Sequence, residues 1–279
     1  MKNNSHPKFS KFKELHHQNL PFFLPNAHDA FSAKIFENLG FPAVGTTSAG
    51  IAASLGYSDG EILPYEQMLN KINEIANAVS IPVSADIEGG YENQGVTEKD
   101  IAHDIPKTGA IAINIEDGSS DGGLISMERK MEQIHLIKKY SHSFNNPIFV
   151  NARTDVYWLN VVEGKTKLND AINRSKNYIS SGADCIFVPK ICDLHEIKVL
   201  VETVGVPVNI LQTKELPTDV ASSGVARIST GSGPFRAIAR LLKEIGEELK
   251  KNDSFDTLHS GITYNAMISM IKEKPPGSF

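Results

Sequence analysis

Cysteine is nearly absent. Cys185 and Cys192 are the only two in 279 residues, too few for the disulfide framework of a small secreted domain. No window approaches the ~20 apolar residues that a membrane-spanning helix needs. Met1–Leu20 is polar, with Lys and His but no apolar stretch of signal-peptide length. Positive charge is not in excess either: 28 Lys+Arg against 33 Asp+Glu leave a formal net charge of -5. With no basic stripe, nucleic acid is excluded as a partner. No linker, repeat or low-complexity tract divides the chain. These absences describe a soluble, cytoplasmic protein with no membrane partner. It reads as one domain over residues 1–279, with 1–20 an N-terminal extension and 251–279 a C-terminal helical extension.

What is present is alternation, in a chain that is 41% hydrophobic and long enough to bury a sizeable core. Short apolar, β-branched runs recur: "PFFLPNA", "PAVGTTS", "IPVSADIE", "AIAINIED", "PIFVNARTD", "DCIFVPK", "VPVNIL" and "GVARIST". Helical periodicity separates them over Ala30–Leu39, Tyr65–Val79, Glu98–Thr108, Met127–Tyr140, Leu168–Ser181, Leu194–Val204 and Phe235–Lys250. Apolar runs alternating with helices imply parallel strands joined by right-handed crossovers. Eight such units predict an α/β fold, a (β/α)8 TIM barrel. An open doubly wound sheet competes, but no Gly-x-Gly-x-x-Gly turn follows the first strand. "FDTLHSGITYNAMISMI" adds one or two C-terminal helices, to cap this barrel or pack on another subunit.

In such a barrel the chemistry collects at the C-terminal ends of the strands. There the sequence offers Thr47 and Ser48, then Asp86 and Glu88, then Glu116 and Asp117, then Asn151, Arg153 and Asp155, then Lys190, Asn209, Arg227 and Ser229. Asp86 and Glu88 are two apart, so both project from one face of the strand. Glu116 joins them from the next strand. Three converging carboxylates take up protons or hold a cation, and with no Cys or His interleaved the donors are hard oxygen, suited to Mg2+ or Mn2+. Ordinary salt bridges or helix caps are the competing reading. Arg153 could clamp a carboxylate or phosphonate two-pronged, or pair with Asp155 or Glu116.

The small-residue loop Gly45–Glu61 would let backbone amides approach an anion, with Thr47 or Ser48 adding a hydroxyl. Lys190 supports a rival mechanism, a Schiff base, for which it would have to be desolvated. A barrel that binds a 2-oxo acid or a metal without turnover is a third reading.

With these residues assembled, the chain resembles the isocitrate lyase/phosphoenolpyruvate mutase superfamily. The pieces run in family order over roughly Leu20–Lys250: "NAHDAFSAKIFENLGFPAVGTTSAGIAASLGYSDGE", "VSADIEGGYEN", "INIEDG", "VNARTDVY", "GADCIFVPK" and "FRAIARLL". The resemblance implies a Mg2+ site (Mn2+ possible) in which Asp86 touches the ion and Glu88, Glu116 and Asp59 hold it largely through water. It implies Arg153 as the substrate clamp, and Thr47, Ser48 and Ala49 around the 2-oxo acid, with Asn209 completing the substrate-binding set. Arg153, Asp59 and Thr47 are the catalytic candidates. It also implies a homo-dimer or homo-tetramer in which the eighth helix is swapped between subunits.

The implied chemistry is cleavage of a C–C or C–P bond through a pyruvate enolate. Two departures from the family narrow it. Lyases carry a Cys and a His in the loop after the fourth strand, and here that stretch reads "EDGSSDGGLISMERK". The Lys-x-Asn-Ser signature of the mutases and of phosphonopyruvate hydrolase is missing from it too. What remains resembles the oxaloacetate decarboxylase-like branch, with phosphonopyruvate hydrolase or mutase chemistry as the alternative.

Overall fold

The computed structural model describes residues 7–119, 121–159, 165–251 and 255–272. Nine parallel segments form one sheet, in the order β1-β9-β8-β7-β6-β5-β4-β3-β2. Its two ends belong to one stretch of chain. β1 (Phe22–Leu24) pairs with β9 (Arg227–Ser229), and β2 (Asn26–Ala27) pairs with β3 (Val44–Thr46). Pro25 lies between them and has no N–H to give a ladder. The chain therefore changes partners there, and eight staves close as the expected (β/α)8 barrel. The others are β4 (Val83–Asp86), β5 (Ala112–Glu116), β6 (Phe149–Arg153), β7 (Cys185–Phe187) and β8 (Val208–Leu211).

Helices α2 (Ala30–Asn38), α4 (Tyr65–Ala78), α5 (Glu98–Lys107), α6 (Met127–Ser143), α8 (Lys165–Ser180) and α9 (Leu194–Val204) fall where helical periodicity places them. Their apolar stripes, such as Met68, Ile72 and Ile75, bury against outward strand residues including Val83, Ala85, Ile113, Ile115, Val150 and Ile186. A single 3-10 turn, Val220–Ser223, stands between β8 and β9, where the sequence has no helical period. Two short helices escape the periodicity. α3 (Ser48–Ser54) occupies the predicted small-residue loop, and α7 (Val156–Leu159) follows β6. Thr47 caps α3 by accepting from Gly50 N at 3.3 Å.

The N-terminal stretch is built into the barrel rather than appended to it. α1 (Pro7–Leu15) closes the bottom, where Phe12, Leu15 and His16 are buried. Phe12 and Leu15 cluster with Phe22, Leu24, Ala43, Ala112, Phe149 and Cys185. Apolar side chains thus fill the lower interior. The upper interior is polar, because alternate residues of "SADIE", "INIE" and "VNAR" point inward: Ser84 and Asp86, Asn114 and Glu116, Asn151 and Arg153.

After β9 the chain continues as α10 (Gly233–Lys251), α11 (Asp256–His259) and α12 (Tyr264–Lys272). α12 returns to α2, where Asn38 Nδ2 donates to Met270 O. None of the 19 residues of α10 is buried. The expectations for residues 1–6 and 273–279 lie outside the described residues. No helix among the described residues is long and apolar enough to cross a membrane.

Candidate active site

A cavity of about 860 Å³ opens at the C-terminal end of the barrel, within the range of small-molecule sites. Its wall includes Thr47, Ser48, Ala49, Asp59, Asp86, Glu88, Glu116, Arg153 and Lys190, so all but one of the residues expected to bind metal or substrate or to act in catalysis meet there. The exception is Asn209. It is fully buried and absent from the wall, and its Oδ1 accepts from Ser229 Oγ at 2.9 Å. Asp117 points the other way. It is fully buried on the outer side of β5, accepting from Tyr178 OH at 2.6 Å and pairing with Arg174 at 3.2 Å.

Asp86 is held by neutral donors. Ser48 N and Ser48 Oγ donate to its Oδ2 at 3.0 and 2.8 Å, and Asn114 Nδ2 donates to its Oδ1 at 2.9 Å. Asn114 is itself fixed by Asn151 Nδ2, which donates to its Oδ1 at 2.9 Å. The backbone below is pinned where Asp86 N donates to Thr46 Oγ1 at 2.8 Å. No ion pair reaches Asp86 among the described residues.

Glu88 is tied to the chain opposite. Gly60 N and Glu61 N donate to its Oε2 at 2.9 and 2.6 Å, and Tyr91 OH donates to its Oε1 at 2.7 Å. Glu88 thereby anchors the loop that carries Asp59. Burial pushes its carboxyl up to about 7; the Tyr91 and Glu61 hydrogen bonds oppose that, and the charges of Asp59 and Asp86 reinforce it. Asp59 is raised by burial and then by Asp86. The turn after Glu88 is crowded: Gly90 has φ +110°, and a Cβ there would stand 2.6 Å from Gln133 Nε2. Glu61, Glu88, Tyr91 and Lys190 all take positive φ without being glycine. Strain of this kind concentrates at functional sites.

Arg153 is already paired. Its Nη1 lies 2.6 Å from Glu116, while Nε and Nη2 donate to the two oxygens of Asp155 at 2.6 and 3.0 Å. Both competing readings of Arg153 therefore meet in one place, since it faces the cavity and also balances two acids. Burial raises Glu116 despite Arg153, and Asp155 likewise. Trp158 stacks over this end, 5.4 Å from the Arg153 guanidinium and 4.4 Å from Lys190 Nζ. Lys190 is exposed, without the desolvation on which a Schiff-base lysine relies.

The donors suit a hard divalent cation. They are all oxygen, and neighbouring acid charge adds to burial in raising Asp59 and Glu88. Among the described residues no three His, Cys, Asp or Glu side chains are grouped to ligate one ion together. That fits an ion touched by Asp86 and otherwise held through water, as Mg2+ sites are built.

Of the trio expected to surround a 2-oxo acid, Thr47 N already donates to Ala27 O at 3.1 Å and Ser48 is engaged with Asp86. Ala49 N–H lies in the first turn of α3, where helices leave N–H groups without an intrahelical partner. Asn114 and Tyr91 were not anticipated. Asn114 stands two residues before Glu116, a spacing that puts it on the same inward face.

Residues 12–250 match the family described as phosphoenolpyruvate phosphomutase. An uncharacterized protein of Mycobacterium tuberculosis is 38% identical over 231 residues, covering 81% of this chain and 83% of its own length. A 2,3-dimethylmalate lyase of Eubacterium barkeri is 32% identical over 202 residues, covering 70% and 68%. The crystal structure of a phosphonopyruvate hydrolase complexed with oxalate and Mg2+ superimposes with a TM-score of 0.78 at 22% identity, covering 95% of this chain and 94% of its own. At that identity it shows the fold.

Proposed function

The chain belongs to the phosphoenolpyruvate phosphomutase family, whose members are lyases and mutases of oxo acids, and from that membership we propose a divalent-cation-dependent lyase that cleaves a C–C bond beside a 2-oxo acid, with oxaloacetate decarboxylation as its simplest form. The observation that carries this is Asp86, a carboxylate oriented by three neutral donors, free of any ion pair among the described residues, at the wall of an acid-rich cavity. The phosphonopyruvate hydrolase of the same fold binds oxalate together with Mg2+. A bound Mg2+ or Mn2+ would withdraw electron density from the 2-oxo and carboxylate oxygens and so make an enolate of pyruvate a tolerable leaving group.

The chain's own residues do the rest. Asp86 would hold the ion, and Glu88, Asp59 and Glu116 would hold it through water. Ala49 N–H and the Thr47 hydroxyl orient the 2-oxo acid, while Ser48 holds Asp86 beside it. Arg153 stabilises the negative charge that develops on the enolate. In decarboxylation the C–C bond to the far carboxylate breaks, carbon dioxide leaves without needing an acid, and the electron pair remains as the enolate until water protonates it. The missing Cys and His of the loop after Glu116 are not needed for that sequence. Phosphonopyruvate hydrolysis is the second reading, favoured by the Arg153 guanidinium on the cavity wall.

The test is a substrate panel of oxaloacetate, phosphonopyruvate, 2-methylisocitrate and 2,3-dimethylmalate with Mg2+, in which pyruvate is followed through a lactate dehydrogenase couple. Pyruvate from oxaloacetate, abolished by EDTA, is expected. No pyruvate from any of the four would remove the proposal. Activity that survives EDTA and is trapped by borohydride on Lys190 would replace it with Schiff-base chemistry.

We also propose a homo-oligomer joined through α10. Barrel geometry calls for the last helix to cover the first and last strands, yet α10 is unburied and Phe23, on the outer face of β1, is 49% exposed. A partner's α10 laid on that face would cover both.

A further inference from the structure

Arg227 is the second guanidinium of the site and differs from Arg153 in every contact. It is 2% exposed and lines the same cavity. Its Nε donates to Ser229 Oγ at 3.0 Å, while its Nη1 is buried with no hydrogen-bond partner. Among the described residues it forms no ion pair with a carboxylate. A guanidinium taken out of water without a counter-charge destabilises a fold. The charge of Asp86 acts on it across the cavity, but no carboxylate touches it among the described residues; burial holds the Cys185 thiol up at about 12, so it is uncharged, and buried His16 is held down at about 3 and is uncharged too.

Position adds direction. In the closed ring of staves β9 stands diametrically across from β5, which carries Asn114 and Glu116, and two staves separate it from β4 with Asp86. Arg227 thus enters the cavity from the wall facing the acids. The cavity lining on its side is made of Asn26, Ser229, Thr230, Gly231 and Ser232, together with Arg236. It has hydroxyls and a second cation, and the carboxylate that the neighbouring β8 loop adds to the lining, Glu215, lies 3.7 Å from Lys214.

We infer that Arg227 seats a second carboxylate of the substrate, so that the site takes a dicarboxylic 2-oxo acid whose 2-oxo end lies toward Asp86 and whose far carboxylate meets the Arg227 guanidinium. Arg153, occupied by Glu116 and Asp155, leaves that role open. This assignment rests on the proposed function and narrows its substrate class. It also makes Arg227 a specificity residue whose charge is unfavourable until substrate arrives.

The test uses the full chain in Mg2+ and measures binding calorimetrically for pyruvate, oxaloacetate and 2-oxoglutarate. At least one dicarboxylate is expected to bind about tenfold or more tighter than pyruvate. Arg227→Gln should erase that preference while changing pyruvate affinity no more than about twofold, and Arg227→Lys should restore part of it. Arg227→Met, unfolded by heat without metal or ligand, should have a Tm at or above wild type, since it removes an uncompensated buried charge.

Equal wild-type affinity for pyruvate and the dicarboxylates would overturn the assignment and leave the proposed function standing. So would a loss of pyruvate and dicarboxylate binding in equal measure, or a large drop in Tm for Arg227→Met. A wild-type protein that binds none of the three in Mg2+ removes the proposed function, and this inference with it.

Discussion

Tyr91 donates its hydroxyl to Glu88 across 2.7 Å, and neither residue is more than 3% exposed. The bond ties the end of β4 to the turn that follows it and so fixes the acid that carries the Asp59 loop. Tyr91→Phe leaves a buried carboxylate one donor short, at a cost of about 1–3 kcal/mol. Mg2+ affinity should fall by about tenfold as well, as when an outer-shell partner is lost. Thermal unfolding and a Mg2+ titration by calorimetry check the two effects; an unchanged Mg2+ affinity would detach Glu88 from the metal site.

Asp86 is expected to carry the metal response. Mg2+ at about one hundred times its Kd stabilises the folded state by about 2.7 kcal/mol, a rise in Tm that EDTA reverses. Asp86→Ala should fold, show no Mg2+-dependent rise and lose metal-dependent turnover. A full Tm response in that variant would place the ion elsewhere.

Asp117 is structural. Itself fully buried, it accepts from Tyr178 OH at 2.6 Å and from the backbone N of Asp155 at 2.7 Å, and it pairs with Arg174 at 3.2 Å. Asp117→Ala leaves Arg174 without its fully buried partner and should cost about 3–5 kcal/mol. Tyr178→Phe should cost about 1 kcal/mol. Chemical denaturation distinguishes them, and equal losses would contradict this ranking.

Acid sensitivity should come from His16. Its ring is buried between Phe22 and Phe149, with centroids 4.9 and 4.5 Å away. Burial, then the Arg227 charge, lowers its pKa from 6.5 to about 3. Above pH 6.5 neither folded nor unfolded chain protonates it, and there is no effect. Below that the unfolded chain takes up the proton and the folded chain does not, so stability falls as pH drops. From pH 6.5 to 5 the loss is about 2 kcal/mol. Unfolding of wild type and His16→Phe across that range measures it; parallel profiles would exclude His16 as the source.

The α10 face should hold subunits together. Leu241 and Leu242 are 40% and 64% exposed. Analytical ultracentrifugation should find a dimer or larger species, and Leu241→Asp with Leu242→Asp should shift it to monomer. A wild-type monomer would remove the proposed interface.

Much of this was legible without coordinates. Strand–helix alternation specifies the barrel because parallel strands can close only through such crossovers, and the i, i+2 spacing of Asp86 and Glu88 follows from the strand period. Acid density at neighbouring strand ends was enough to locate the site. The short helices α3 and α7 escaped because single turns carry no measurable period.

What the sequence determined by itself is therefore a barrel, a mouth rich in carboxylates and an oxygen donor set suited to a hard cation. These depend on local period and residue type, which the chain carries in order. Tertiary structure alone decided which charge meets which. It gave Arg153 to Glu116 and Asp155 and, among the described residues, left Arg227 without an ion-pair partner. It turned Asp117 away from the cavity into the pair with Arg174, and drew α1 into the bottom of the barrel. Pairing of that kind depends on distances between residues as many as 57 positions apart, as for Asp117 and Arg174, which no local pattern encodes.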